Sequence, residues 1–90
     1  MFIETVTASR EEWECWRDRI DIINDPPDGL VALVAWESGE GQVTQANVWD
    51  NPAAVADFFL KHVLPIIEDE GEPASKPQRH GEPLAIFIRH

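Results

Sequence analysis

Leu30-Val31-Ala32-Leu33-Val34-Ala35-Trp36 is an unbroken apolar run bounded by Asp28-Gly29 on one side and Glu37-Ser38-Gly39 on the other. It is too short for an ordinary helix, and its length and turn-forming flanks match a strand covered on both faces. Leu84-Ala85-Ile86-Phe87-Ile88 repeats the pattern near the end of the chain. Whatever sheet these segments build must therefore find cover for both of its surfaces, and a chain of 90 residues carries little material to provide it.

The remaining segments supply two helices. Met1-Phe2-Ile3-Glu4-Thr5-Val6 is β-prone, and Ser9 followed three residues later by Glu12 is a capping box, which satisfies orphan N–H groups of a first helical turn. Trp13, Trp16, Ile20 and Ile23 fall on one stripe of the helix that follows, predicted over residues 10–22. That spacing reads as core. Asn24-Asp25-Pro26-Pro27-Asp28-Gly29 ends the helix, because a residue before proline is pushed out of the helical region.

A Gly-bearing loop over Glu37–Gly41 leads into an alternating strand, Gln42–Trp49. Val43, Gln45, Asn47 and Trp49 share one face of that strand; Gln42, Thr44, Ala46 and Val48 share the other. Asn51 can cap a second helix with Pro52 at its first position. Val55, Phe59, His62, Val63 and Ile66 line one side of it, and Pro65 should kink or divide it. Residues 72–83 read as a loop, with the last strand at 84–88. The order is β-α-β-β-α-β: an α+β, ferredoxin-like antiparallel sheet with both helices on one face, in one domain over residues 1–90.

The opposite face of such a sheet should be polar, and here neither choice of face is. The less apolar choice leaves Val31, Leu33 and Phe87 outward, beside Ile3 or Phe2 and Val43 or Val48. Five such groups represent roughly 8–15 kcal/mol of unburied apolar surface, comparable to the whole stability of an ordinary domain. The resolution expected is a homodimer that packs sheet on sheet.

Asp28-Gly29-Leu30, the strand ending Val48-Trp49-Asp50, and Ala54-Val55-Ala56-Asp57-Phe58-Phe59 resemble the dimeric α/β-barrel superfamily, in particular small proteins related to the antibiotic biosynthesis monooxygenase group. The resemblance implies two sheets closing a barrel across a dimer, with a cavity between sheet and helices in each protomer. Some relatives are cofactor-independent oxygenases and others degrade haem. The haem-degrading set of an Asn near the first strand, a helical Trp and a later His does not carry over. No Asn stands in the first strand here, Phe58 and Phe59 stand near the Trp position, and an acidic residue near Glu68 replaces the His.

The ligand-pocket candidates are Asn47, Trp49, Phe59 and His62. His62, one turn from Phe59 and Ile66, is the weak candidate for a general base, against the alternative of a His at the edge of the core. Asn47 and Trp49 either look toward the helices and form a polar anchor beside an aromatic wall, or look toward the partner and form dimer contacts. No cofactor and no metal site are expected. His80, His90, Glu72 and Glu82 lack the spacing of a zinc motif, and Cys15 has no neighbour that would activate a thiol. Gly39-Glu40-Gly41 sits between strands and is no phosphate loop.

Net charge −10 argues against nucleic acid and anionic membranes as partners. With no long apolar run, no signal-like start and a lone cysteine, a cytoplasmic location is the expectation. The function expected is binding of a small apolar organic ligand in the cavity. The alternative is a cofactor-independent monooxygenase or isomerase acting on an aromatic, polyketide-like substrate.

Overall fold

The computed structural model describes residues 1–71 and 78–81. Its strands are β1 (Phe2–Ser9), β2 (Leu30–Gly39), β3 (Gln42–Trp49) and β4 (Gln78–Gly81). They form one sheet in the order β2-β3-β1-β4, with every neighbouring pair antiparallel. Helix α1 (Arg10–Arg19) follows β1. After β3 come α2 (Pro52–Phe58), a wider π-helical turn (Phe59–Val63) and α3 (Leu64–Glu70). This is the ferredoxin-like α+β architecture expected from the sequence. No helix among the described residues is long and apolar enough to cross a membrane.

Local chemistry fixes the helix starts as anticipated. Ser9 Oγ accepts from the Glu12 N–H at 3.1 Å, and Asn51 Oδ1 accepts from the Ala54 N–H at 2.9 Å, with Pro52 opening the helix behind it. Helix α1 is shorter than predicted: Ile20 is already extended at φ −119°, ψ 96°. Its apolar stripe therefore does not reach Ile23, which is 75% exposed in the turn beyond.

Pro65 divides the second helical stretch, with a particular geometry. Proline has no N–H to give and its ring crowds the carbonyl four residues back. The chain relaxes this by widening the turn just before it, so that the Leu64 N–H bonds the Phe59 carbonyl five residues earlier. Gly29 ties the same region to the sheet. It has φ +87°, and a methyl group placed there would lie 2.5 Å from Ala54 Cβ, so only glycine lets the β2 entry pass beneath α2.

Three predicted features differ from the structure. The hairpin loop is a tight turn at Glu40–Gly41, because β2 continues to Gly39, which pairs with Gln42 after a slip of the ladder at Ser38. Residues 78–81, read from sequence as part of a loop, form β4 on the free edge of β1, pairing Thr5 with Gln78 and Ile3 with Gly81. Main-chain pairing needs no apolar side chains at an edge, so this polar stretch carried no strand signal. The strand predicted at 84–88 lies outside the described residues.

The third difference concerns facing. Leu30 pairs with Trp49 but Ala32 pairs with Val48, so the ladder slips at Val31 and the alternation restarts. Leu33 consequently faces the helices, and it is Ala32, Val34 and Trp36 that join Ile3 and Val48 on the outer face, in place of the predicted Val31 and Leu33. Val34 is 57% and Trp36 46% exposed there. Phe87, also predicted outward, lies outside the described residues. The inner face of β1 and β3 carries the buried residues: Ala8, Val43 and Trp49, with the polar Glu4 and Asn47 among them, and Val55 covering from α2.

Candidate functional site

Two antiparallel strands set the floor of the site. The register places Glu4 opposite Asn47 and Val6 opposite Gln45, so even-numbered residues of β1 and odd-numbered residues of β3 share the helix-facing surface. The facing of Asn47 and Trp49, open in the sequence, is therefore toward the helices. α1 with the turn after it rises on one side and the second helical stretch on the other. Between them lies an open cleft of about 990 Å³, within the range of small-molecule sites.

The floor of the cleft is a continuous polar chain. Trp13 Nε1 on α1 donates to Gln45 Oε1 at 2.9 Å, and Gln45 Nε2 donates to Asn47 Oδ1 at 3.0 Å. Asn47 Nδ2 donates to Glu4 Oε1 at 3.2 Å, and Trp49 Nε1 donates to the same oxygen at 3.0 Å. Glu4 is only 6% exposed. A carboxylate sunk this far loses most of its hydration and needs compensating donors, which Asn47 and Trp49 supply. Both fall on Oε1; among the described residues Oε2 has no partner, and Glu4 lines the cleft.

The walls are aromatic and aliphatic. Trp13 and Trp16 come from α1, Phe58 and Phe59 from the second helical stretch, with Val55, Val63 and Ile67 beside them. Trp13 and Trp16, expected as core, are instead half-buried cleft walls, because α1 carries no fully buried residue. The wide turn explains which residues of the second stretch reach the cleft. At about 100° per residue, a regular helix would place Ile67 roughly 120° around from Val55. One residue of slack reduces this to about 20°. Val55, Val63 and Ile67 thus share a side, whereas strict helical spacing had chosen Ile66 and His62.

Of the predicted site residues, the cleft takes in Asn47 and Phe59 and leaves out Trp49 and His62. Asn47 has its carbonyl and one N–H already engaged within the floor. Trp49 is fully buried behind the floor, with its ring 5.3 Å from that of Phe58. His62 is exposed, with its ring 5.3 Å from that of Phe58, and does not border the cleft where a base acting on a bound molecule would have to stand. His80 bonds Thr5 Oγ1 at 2.8 Å, away from the cleft; Glu72, Glu82 and His90, also weighed as metal ligands, lie outside the described residues.

Glu4 is the residue that reading the sequence missed. Its signal is the set Phe2, Glu4, Val6 and Ala8, an otherwise apolar face of β1 interrupted by one carboxylate. The alternate set Ile3, Thr5 and Thr7 is as apolar at its start, which hid the interruption.

No family model matches the chain and no curated protein is similar to it. Solved structures do share its fold. A candidate antibiotic biosynthesis monooxygenase from Deinococcus radiodurans superposes with a TM-score of 0.66 at 17% identity, over 100% of each chain. A protein of unknown function from Nitrosomonas europaea gives 0.70 at 9% identity, over 99% of this chain and 94% of its own. A dimeric ferredoxin-like protein from an uncultured marine organism gives 0.58 at 15% identity, over 99% of this chain and 100% of its own. At these identities the likeness is one of fold, and it is to structures of the monooxygenase-like and dimeric ferredoxin-like kind.

Proposed function

We propose that the chain binds a small, largely apolar organic molecule in the cleft between its sheet and helices, and does so as a homodimer packed through the outer sheet face. The cleft carries the reading: about 990 Å³ of space, walled by Trp13, Trp16, Phe58 and Phe59 over a polar floor that can orient what enters. The homodimer is supported by the exposed Val34 and Trp36 beside Ile3 and Val48. The dimeric ferredoxin-like structure of the same fold adds support. A second copy is the occupant that matches an apolar strip flanked by Thr5, Thr7 and Thr44, since two-fold packing sets the strip against itself.

The indoles are reporters for both halves of this reading. Trp13 and Trp16 border the cleft, and Trp36 stands on the opposite face. Titrating naphthalenemethanol should shift the indole N–H signals of Trp13 and Trp16 in a proton–nitrogen spectrum and leave that of Trp36 unmoved. A titration that moves only Trp36, or none of the three, defeats the cleft reading. Light scattering on a sizing column should return the mass of two chains at micromolar concentration; a single-chain mass there defeats the homodimer.

A second reading, a cofactor-independent monooxygenase or isomerase acting on an aromatic, polyketide-like substrate, is favoured by the Deinococcus radiodurans structure. Asn47 at the cleft floor would serve as a polar anchor in it, while the exposed position of His62 argues against that residue as its base. Oxygen consumption with polycyclic phenols is its measure, and indifference of that consumption to Asn47→Ala would count against it.

A further inference from the structure

We propose that the spare side-chain N–H groups of Gln45 and Asn47 select what the cleft takes, and that its ligand is a ring-sized molecule whose polar end is a carbonyl oxygen. This rests on the reading of the cleft as a small-molecule site and adds to it the polar group the ligand must carry and the residues that read it.

The two ends of the floor chain fix the amides between them. An indole N–H can only donate, so the Gln45 atom 2.9 Å from Trp13 Nε1 is the amide oxygen, and the nitrogen is turned to Asn47. Asn47 receives that bond on Oδ1 and donates from Nδ2 to Glu4 Oε1. The carboxylate at that end takes the Trp49 N–H as well. Each amide nitrogen carries two N–H groups, and each has spent one.

The sheet offers the spare donors nothing. Across the ladders, Asn47 stands opposite Leu33 and Gln45 opposite Ala35 on β2, and Gln45 stands opposite Val6 on β1. None of these side chains accepts a hydrogen bond. Among the described residues no acceptor meets the second N–H of either amide. Both residues border the cleft, Asn47 buried and Gln45 half-buried. An orphaned N–H is tolerated less well than a carbonyl with one lone pair unused, so the donors set the terms. A molecule that fills the cleft drives water off both. An acceptor oxygen replaces the lost bonds, whereas hydrocarbon strands the donors. A head that only donates, such as an ammonium, strands them equally.

The test compares acetonaphthone with isopropenylnaphthalene, probes of one shape in which the carbonyl oxygen is exchanged for a methylene. Titrated calorimetrically into the full chain, the ketone should bind at least as tightly as the alkene, although water solvates the ketone better. Gln45→Met keeps the length of the side chain and removes its donor. The ratio of ketone to alkene affinity should fall about fivefold in that variant. Taking the ratio removes whatever the change does to the Trp13 wall, which both probes meet alike. Should the variant fail to fold, the unaltered chain decides the matter. The side-chain N–H signals of Gln45 and Asn47 should move downfield with the ketone, the sense of a new hydrogen bond, and not with the alkene.

An alkene that binds the tighter, a ratio untouched by Gln45→Met, or amide signals indifferent to the ketone overturns the proposal while leaving the cleft a binding site. Failure of both probes to bind overturns the cleft reading itself.

Discussion

The two faces of the sheet invert what a lone soluble domain would be expected to do. The protected inner face holds a carboxylate, two side-chain amides and two indole N–H groups in one connected chain, whereas the open outer face presents Val34 and Trp36 to solvent. The difference lies in what each surface must meet. Buried polar groups are tolerated when every one finds a partner, and they then fix geometry; bare apolar groups are tolerated when something covers them. The inner face is organised around directional bonds and the outer face around area. Substitutions on the two should therefore fail differently, one through lost stability and the other through lost association.

The sharpest way to break that contrast is Trp49→Ala. Among the described residues it removes the one large side chain that is wholly buried, and it takes away a donor from Glu4. A loss of about 3–5 kcal/mol is expected from the denaturant midpoint, enough to unfold much of a small domain. Glu4→Leu comes next. It keeps bulk but orphans the Trp49 and Asn47 donors, at about 2–3 kcal/mol by the same measurement. If either change costs less than 1 kcal/mol, the polar chain is not what organises the inner face. Trp36→Glu, on the outer face, should change the stability extrapolated to low protein concentration by no more than about 0.5 kcal/mol. Its effect should appear in mass, with two chains becoming one on the sizing column. A two-chain mass in this variant, or a stability loss as large as that of Trp49→Ala, would erase the distinction between the faces.

Much of the fold was legible because it rests on short-range chemistry. Ser9 with Glu12, Asn51 with Pro52, the strand Gln42–Trp49 and the start of β2 at Leu30 all appear where local pattern puts them. What escaped depends on events one residue in size. The slip at Val31 exchanges the two faces of β2, and the wide turn before Pro65 moves the helical stripe from Ile66 to Ile67. Periodicity carries no mark of either, since each leaves composition unchanged. β4 escaped because pairing at an edge is a property of the backbone. The candidate site was legible in part: Asn47 and Phe59 border the cleft, His62 stands outside it through the same shift of phase, and Glu4 emerges once β1 and β3 are set in register.

The widened turn at Phe59–Val63 amounts to an insertion that the helix has absorbed without breaking. Were the coil to regularise with every residue kept, everything downstream would be swung by about 100° about the axis, whereas excising a single residue there, Leu60 for instance, would regularise it and leave the downstream phase as it is. In the first case Ile67 would leave its place, and Glu70 would be carried away from Arg19, the ion pair that joins the far ends of α1 and α3. The widened turn thus acts as a phase setting, holding the distal half of the stretch in step with a helix more than forty positions earlier in the chain.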